Sequence, residues 1–134
     1  MTIREAIDRV DGVKPNAFTK FEKINWLSEL DGKIFEEIMR THEDSPTSFF
    51  GYTEDTDGLT ELLAPAPYDD LYLAWLEAMM DLKNREIVSY NNQMTVFNAK
   101  FADFANHWNR THMPKSERLC FFGRRERRRE DPLS

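Results

Sequence analysis

The sequence predicts an all-α protein, a small bundle of about four helices with a long helical hairpin towards its C-terminal side. In several segments apolar residues recur every three or four positions, a spacing that places them on one helix face, and no segment alternates as a strand would. Helix-capping patterns precede two of these segments. The chain has 134 residues, of which 40% are hydrophobic, with ten Phe and three Trp. This composition is sufficient for one modest core.

The first predicted helix is short. Thr2 and Glu5 have the spacing of a capping box, in which each side chain bonds the other residue's backbone, and Gly12 is a typical end. The predicted buried face consists of Ile3, Ala6, Ile7 and Val10.

The second predicted helix covers roughly residues 19–41. Thr19 and Glu22 repeat the capping box after a turn that contains Pro15. Asp31-Gly32 is a turn dipeptide, but the apolar phase continues through it, which favours a weak point in one helix over two helices. The predicted apolar face is Phe21, Ile24, Leu27, Leu30, Ile34 and Ile38.

Residues 42–67 predict a long acidic loop. They show no helical period and contain six acidic residues without one Lys or Arg. Loops of this length are uncommon in compact domains and usually bind, cover or wrap a partner. Its aromatic residues could pack the loop onto the helices, which is slightly favoured, or contact a partner. The candidate subunit-contact residues are Phe49, Phe50, Tyr52, Asp55 and Asp57.

The third and fourth predicted helices form an antiparallel hairpin. Ala66-Pro67 opens the third helix, with Asp69 and Asp70 in its first turn, and Lys83-Asn84 turns the chain. The expected core face of the third helix is Leu71, Trp75, Met79 and Leu82. The fourth, from about Arg85 to Thr111, carries an apolar seam of Ile87, Tyr90, Met94, Phe97, Phe101, Phe104 and Trp108.

Charge divides the chain into an acidic helical domain, residues 1–111, and a basic C-terminal arm, residues 112–134. The first carries a net charge of −9 and the second +3, for a total of −6. The acidic domain would repel duplex DNA, which favours copies of the chain or other proteins as partners.

The arm combines apolar residues with a run of arginines. Such a segment can dock on an acidic protein surface by burying the apolar residues and pairing the guanidinium groups. A solubilising end and contact with nucleic acid are the alternatives. The predicted docking residues are Leu119, Phe121, Phe122, Arg124, Arg125, Arg127, Arg128 and Arg129.

No candidate catalytic or metal site withstands examination, so we expect no enzyme and no cofactor. Thr53 to Gly58 resembles the start of a calcium loop, but the position of the final chelating Glu is Ala64. His107 and His112 lie five residues apart, which is not the metal-binding spacing of four. The single cysteine, Cys120, excludes an intramolecular disulfide and suggests a reducing compartment. We also expect no signal peptide and no membrane span.

Residues 19–114 resemble small helical head-tail connector (adaptor) proteins of long-tailed bacteriophages. The resemblance rests on residues 26–32 (WLSELDG), 64–72 (APAPYDDLY), 84–86 (NRE), 90–92 (YNN) and 108–114 (WNRTHMP). It implies a homo-oligomeric ring beneath the portal in the virion neck, assembled in the host cytoplasm. It also implies that the arm reaches the portal protein, that the hairpin lines subunit contacts and that the acidic loop faces a neighbour or the next tail-completion protein. DNA would pass through the channel without sequence-specific binding.

The alternative function is a small helical regulatory or nucleic-acid-binding protein that uses the arginine-rich arm. The sequence has no helix-turn-helix signature, and the acidic domain disfavours this alternative.

Overall fold

A computed structural model describes residues 1–114 and confirms the all-α class. It contains four α-helices: α1 (Ile3–Val13), α2 (Lys20–Ile34), α3 (Leu71–Lys83) and α4 (Ile87–Thr111). A π-helical turn, Phe35–Met39, continues α2, and a 3-10 turn, Tyr68–Asp70, precedes α3. Within the described residues the β-type pairing is limited to two isolated bridges.

The capping boxes of α1 and α2 are both present. The Thr2 and Thr19 side chains accept hydrogen bonds from the Glu5 and Glu22 backbone N–H groups, and each glutamate bonds back to the capping residue. All four predicted apolar residues of α1 are buried. Gly12 does not end the helix, which continues to Val13, because a glycine weakens a helix without forcing it to stop.

The irregularity in α2 lies later than predicted. The helix passes through Asp31-Gly32 and changes to π geometry at Phe35, whose carbonyl accepts from the Arg40 N–H at 2.8 Å. The wider turn lets Phe35, Ile38 and Met39 all face the core. Phe21, expected in the core, is 45% exposed because it lies on the outer side of the first turn of α2.

Helix α3 is the centre of the bundle. It packs against α1 and α2 on one side and against α4 on the other. Helix α4 approaches α2 at Lys33, whose amino group lies over the Phe101 ring, 5.9 Å from its centroid. Burial therefore extends around much of α3 instead of along one stripe, and Leu82, expected in the core, is 37% exposed near its end. The buried apolar residues are Leu71, Tyr72, Ala74, Leu76, Ala78, Met79 and Met80.

The start of α3 differs from the prediction. Asp69 and Asp70 belong to the preceding 3-10 turn, and the Asp70 side chain makes no capping hydrogen bond. Each carboxylate instead pairs with a cation elsewhere: Asp70 with Lys100 of α4 at 2.6 Å, and Asp69 with the N-terminal amino group at 3.5 Å. Lys100 and Asp70, together with Trp75 packing on Phe97, give the hairpin its antiparallel register.

The hairpin turn and the seam of α4 are only partly as predicted. The backbone of Asn84 has a right-handed helical conformation. The left-handed residue of the turn is Arg85, whose φ is 61°. In the seam, Phe97, Phe104 and Trp108 are buried, Tyr90, Met94 and Phe101 are half-buried, and Ile87 is 53% exposed. The exposure of Ile87 follows from its position beside the turn, where α3 has ended.

Candidate partner-binding surface

The eight predicted docking residues of the arm all follow Lys115 and lie outside the described residues. The last described residues, 112–114, lie against the end of α4 and the start of the acidic loop. Trp108 stacks on His112 with ring centroids 3.6 Å apart, and its indole N–H donates to Ser45 Oγ. The Glu43 N–H donates to the Met113 carbonyl at 2.7 Å. The arm therefore begins beside the first residues of the acidic loop.

A buried carboxylate holds the acidic loop against the helices. Asp31 of α2 is fully buried, and the hydroxyl groups of Tyr52 and Tyr72 each donate to it at 2.5 Å. The Leu63 N–H donates to the same carboxylate at 3.1 Å, and the Tyr72 hydroxyl accepts from the Ala64 N–H at 2.7 Å. The cluster links α2, α3 and both ends of the segment from residue 52 to residue 64.

Burial dominates the electrostatics of this cluster. Desolvation raises the pKa of Asp31 above its usual value, although the three hydrogen bonds that it accepts oppose the change. Burial and the neighbouring Asp31 charge raise the pKa of both Tyr52 and Tyr72. Both phenols therefore remain protonated donors over the physiological range, and the cluster acts as a structural brace.

The loop turns one aromatic side chain inwards and the next outwards. Phe49 packs edge-on against Tyr52, with centroids 5.1 Å apart, and also lies near Phe35. Phe50 is 94% exposed. Gly51 permits the reversal because its φ is +90°, and a Cβ there would lie 2.9 Å from Ser28 Oγ, the acceptor of the Tyr52 N–H.

The candidate subunit-contact residues therefore divide into two groups. Phe49 and Tyr52 pack within their own chain, as the packing interpretation predicts. Phe50, Asp55 and Asp57 are exposed, and we call these three residues the outer loop surface. A loop that exposes an apolar ring and two carboxylates can contact another protein by burying the ring and pairing the acids with cations.

Two ion pairs, each with one buried partner, join the C-terminal end of α1 to the other helices. Lys23, itself buried, donates to Asp11 at 2.7 Å, and Lys14 pairs with the buried Asp81. Asp81 Oδ2 has no hydrogen-bond partner among the described residues. Burial also raises the pKa of the nearby Glu77, while Lys14 lowers it.

One cavity of about 410 Å³ lies between α1 and the start of α2. Its charges are mixed, and Lys23 and Asp11 in its wall already pair with each other. Residues 1–114 contain no cluster of three potential metal ligands. The cavity lining comprises Arg4, Ile7, Asp8, Asp11, Phe18, Lys20 and Lys23.

Comparisons with known proteins give no match: no family model, no curated protein and no solved structure is similar to this chain. In residues 1–114, no helix combines the length and the apolar character needed to cross a membrane.

Sequence reasoning missed the Asp31 brace. The Asp31-Gly32 dipeptide is typical of a turn, but Asp31 stands in phase with Leu27 and Ile34 on the buried face of α2. A charged residue at a core position requires partners. That signal was present in the sequence, whereas the identity of the partners, Tyr52 and Tyr72, depends on the fold.

Proposed function

We propose that this chain is a structural virion protein, a head-tail connector that forms a ring beneath the portal and joins the DNA-filled head to the tail. The observation that carries the proposal is the outer loop surface, where Phe50 projects into solvent from a loop that Asp31 holds in place. An exposed aromatic residue on a braced loop that also carries exposed acids is suited to protein contact.

The internal contacts support an architectural role. Asp31, Lys23 and Asp81 are the buried charged residues of residues 1–114, and each makes an ion pair or hydrogen bonds that link different elements. The ion pairs and hydrogen bonds of these residues therefore stabilise the packing of the helices and the loop. A rigid body of this kind suits a part that must transmit contacts between neighbours in an assembly.

The charge distribution also fits a protein around a DNA channel. The helical domain, residues 1–111, carries a net charge of −9. DNA moves more easily past a surface that does not bind it, because an acidic wall repels phosphate. The resemblance to phage adaptors, on residues 19–114, assigns the basic arm to the portal protein and the loop to a neighbour or a tail-completion protein.

The direct test uses the full chain and the portal protein encoded beside its gene. Mixing the purified proteins should give a complex in which electron microscopy shows a ring of this chain below the portal. Changing Phe50 to Ser should weaken joining to the neighbouring copy or tail component without changing the circular dichroism spectrum, because the side chain is exposed. A gene neighbourhood without portal or capsid genes, or heads completed without this chain, would contradict the proposal.

The regulatory alternative predicts a different outcome from the same preparation. It requires the full chain to bind DNA tightly at moderate salt while ignoring the portal, with affinity that falls steeply as salt rises.

A further inference from the structure

The acidic loop carries the most exposed large apolar side chain of the described residues. Phe50 is 94% exposed, and Leu59, further along the same loop, is 62% exposed. The backbone next to Phe50 is held on both sides. Phe49 packs inwards on one side, and on the other side the Tyr52 N–H donates to Ser28 Oγ at 3.0 Å. An apolar ring on a fixed backbone is a surface that another segment can bury.

Five of the six acids in the loop have no cationic partner within residues 1–114. Glu61 pairs with the N-terminal amino group at 3.4 Å, and the other five form no ion pair there. Arg4 of α1 lies against Gly58 but pairs with none of them. The loop itself contains no Lys or Arg, so its negative charge is uncompensated. The five acids, all exposed, are Glu43, Asp44, Glu54, Asp55 and Asp57.

The arm and the acidic loop start from the same point. His42 and Pro114 form an antiparallel bridge. Phe50 lies eight residues after His42, and Phe122 lies eight residues after Pro114. Eight residues of chain span up to about 28 Å. Because both segments start at the bridge, the arm at Phe122 is long enough to reach the position that the loop occupies at Phe50.

We propose that in the free protein the arm docks on the acidic loop of its own chain, with Phe121 and Phe122 against Phe50 and the arginines on the loop acids. The two segments are complementary in charge. Residues 42–67 contain six acids without one Lys or Arg, and residues 115–134 contain seven Lys and Arg against four acids. Both also carry aromatic residues next to these charges, so that one contact buries the rings and pairs the guanidinium groups.

Tethering favours the arm of the same molecule over the arm of a second copy. The bridge between His42 and Pro114 holds the start of the arm beside the loop. A short tether of this kind gives an effective concentration on the order of millimolar, above the concentration of free copies in a micromolar solution. Exposed ion pairs are individually weak, so the docked arm remains displaceable by a partner with a larger acidic surface.

Docking within the chain would hide two binding surfaces at once, the arm and the outer loop surface. Free copies would then neither bind nucleic acid through the arginines nor join one another through the loop before a partner engages the arm. This consequence rests on the proposed connector function, in which that partner is the portal protein. The docking itself requires only residues of this chain.

Paramagnetic NMR of the full chain tests the contact, because the single cysteine, Cys120, lies next to Phe121 and accepts one spin label. Backbone amide signals of residues 43–57 should lose intensity relative to the same protein with the label reduced. Signals of residues 83–87, at the other end of α4, should keep theirs. Raising the salt concentration should restore the lost signals, since salt screens exposed ion pairs. Mixing spin-labelled chain with isotope-enriched unlabelled chain should give no loss, because the contact lies within one molecule.

One pair of variants tests the apolar part of the contact. Phe50→Ser should reduce the loss at least about twofold, because it removes the ring on which the arm packs. Phe21→Ser is the matched control, since Phe21 is an exposed phenylalanine of α2. It should leave the loss unchanged.

A second pair of variants tests the charged part. Glu54→Gln with Asp55→Asn removes two unpaired loop acids and should reduce the loss. Glu36→Gln with Glu37→Gln removes two exposed acids that already have cationic partners, and it should have no effect. Equal effects of the loop and control variants would overturn the proposal.

Two results with the unmodified sequence would also overturn it. Absence of any loss in the loop would show that the arm does not dock there, and loss in the mixed sample alone would assign the loop to the arm of a second copy. Adding the portal protein separates this inference from the proposed function. Loss in the loop without portal binding would contradict the connector and retain the docking, and a portal-bound ring built from a chain without loss would do the reverse.

Discussion

At the scale of single residues, the most consequential group is a buried aspartate that the fold retains by surrounding it with donors. Asp31 accepts from two tyrosine hydroxyls and one backbone N–H. A buried carboxylate without such partners would cost several kcal/mol. Even with them, desolvation raises its pKa, so the folded state binds a proton at Asp31 more tightly than the unfolded chain does.

The raised pKa predicts a pH dependence of stability. The Asp31 contribution should be largest below its unfolded pKa, near 3.8, and should decrease as pH rises through the higher folded pKa. Glu5 and Asp11 have lowered pKa values and act in the opposite direction. The informative quantity is therefore the difference in unfolding free energy between the wild type and Asp31→Asn.

Urea unfolding at a series of pH values measures that difference. It should grow in favour of the wild type as pH falls from 7 towards about 4, since the variant has no proton to bind at this position. If the difference in unfolding free energy is constant over this pH range, Asp31 has the same pKa in the folded and unfolded states, which would contradict the prediction. Because the aspartate remains an acceptor for both phenols, the wild type should be the more stable protein throughout.

At the scale of elements, α4 shows how a regular seam is divided by its neighbours. Residues 97, 104 and 108 face α3 and the short turns and are buried, while Phe101 is half-buried beside them. The spacing of the apolar residues predicts a uniform seam. Spacing identifies one face of the helix, but it does not show which other elements cover that face. Coverage depends on where α3 ends and where residues 35–39 and 68–70 lie.

This division predicts unequal costs of truncating the two phenylalanines. Phe104→Ala should lower the unfolding free energy by about 3–5 kcal/mol, the usual cost of emptying a fully buried site. Phe101→Ala should cost less, about 1–2 kcal/mol, because part of its ring is already in solvent. Denaturant unfolding of both variants checks the order, and a larger loss for Phe101 would place the core elsewhere.

At the scale of the whole molecule, the helical domain and the arm carry opposite charges and are expected to have separate roles. The contacts that hold the four helices together lie within residues 1–114, and α4 ends at Thr111 as predicted. The arm, residues 112–134, continues past Pro114 for 20 residues, which include five arginines between residues 124 and 129.

Deleting residues 115–134 should therefore leave the helical bundle folded and abolish attachment to portal-bearing heads. Circular dichroism and thermal unfolding test the first expectation, and co-sedimentation with heads tests the second. Two full-length variants separate the contributions: Phe121→Ala with Phe122→Ala removes the apolar residues, and replacement of the arginines by lysine retains the charge. Attachment by the truncated chain would refute the docking role of the arm.

The sequence by itself determined the helical class, both capping boxes, the extent of α4 and the position of the acidic loop. These features depend on residues within one or two turns of one another, so local spacing encodes them. The exposed Asp55 and Asp57 could likewise be predicted from composition alone.

Only the tertiary structure decided which faces are covered. In the structure α3 lies at the centre of the bundle and begins at Leu71, and Phe50 is exposed. Tyr52 and Tyr72, which are 21 and 41 residues from Asp31 in the sequence, donate hydrogen bonds to its carboxylate. The tertiary structure also leaves one side of α4 exposed. The physical reason is that burial is a property of contacts between distant segments, and helical periodicity specifies a face without specifying its partner.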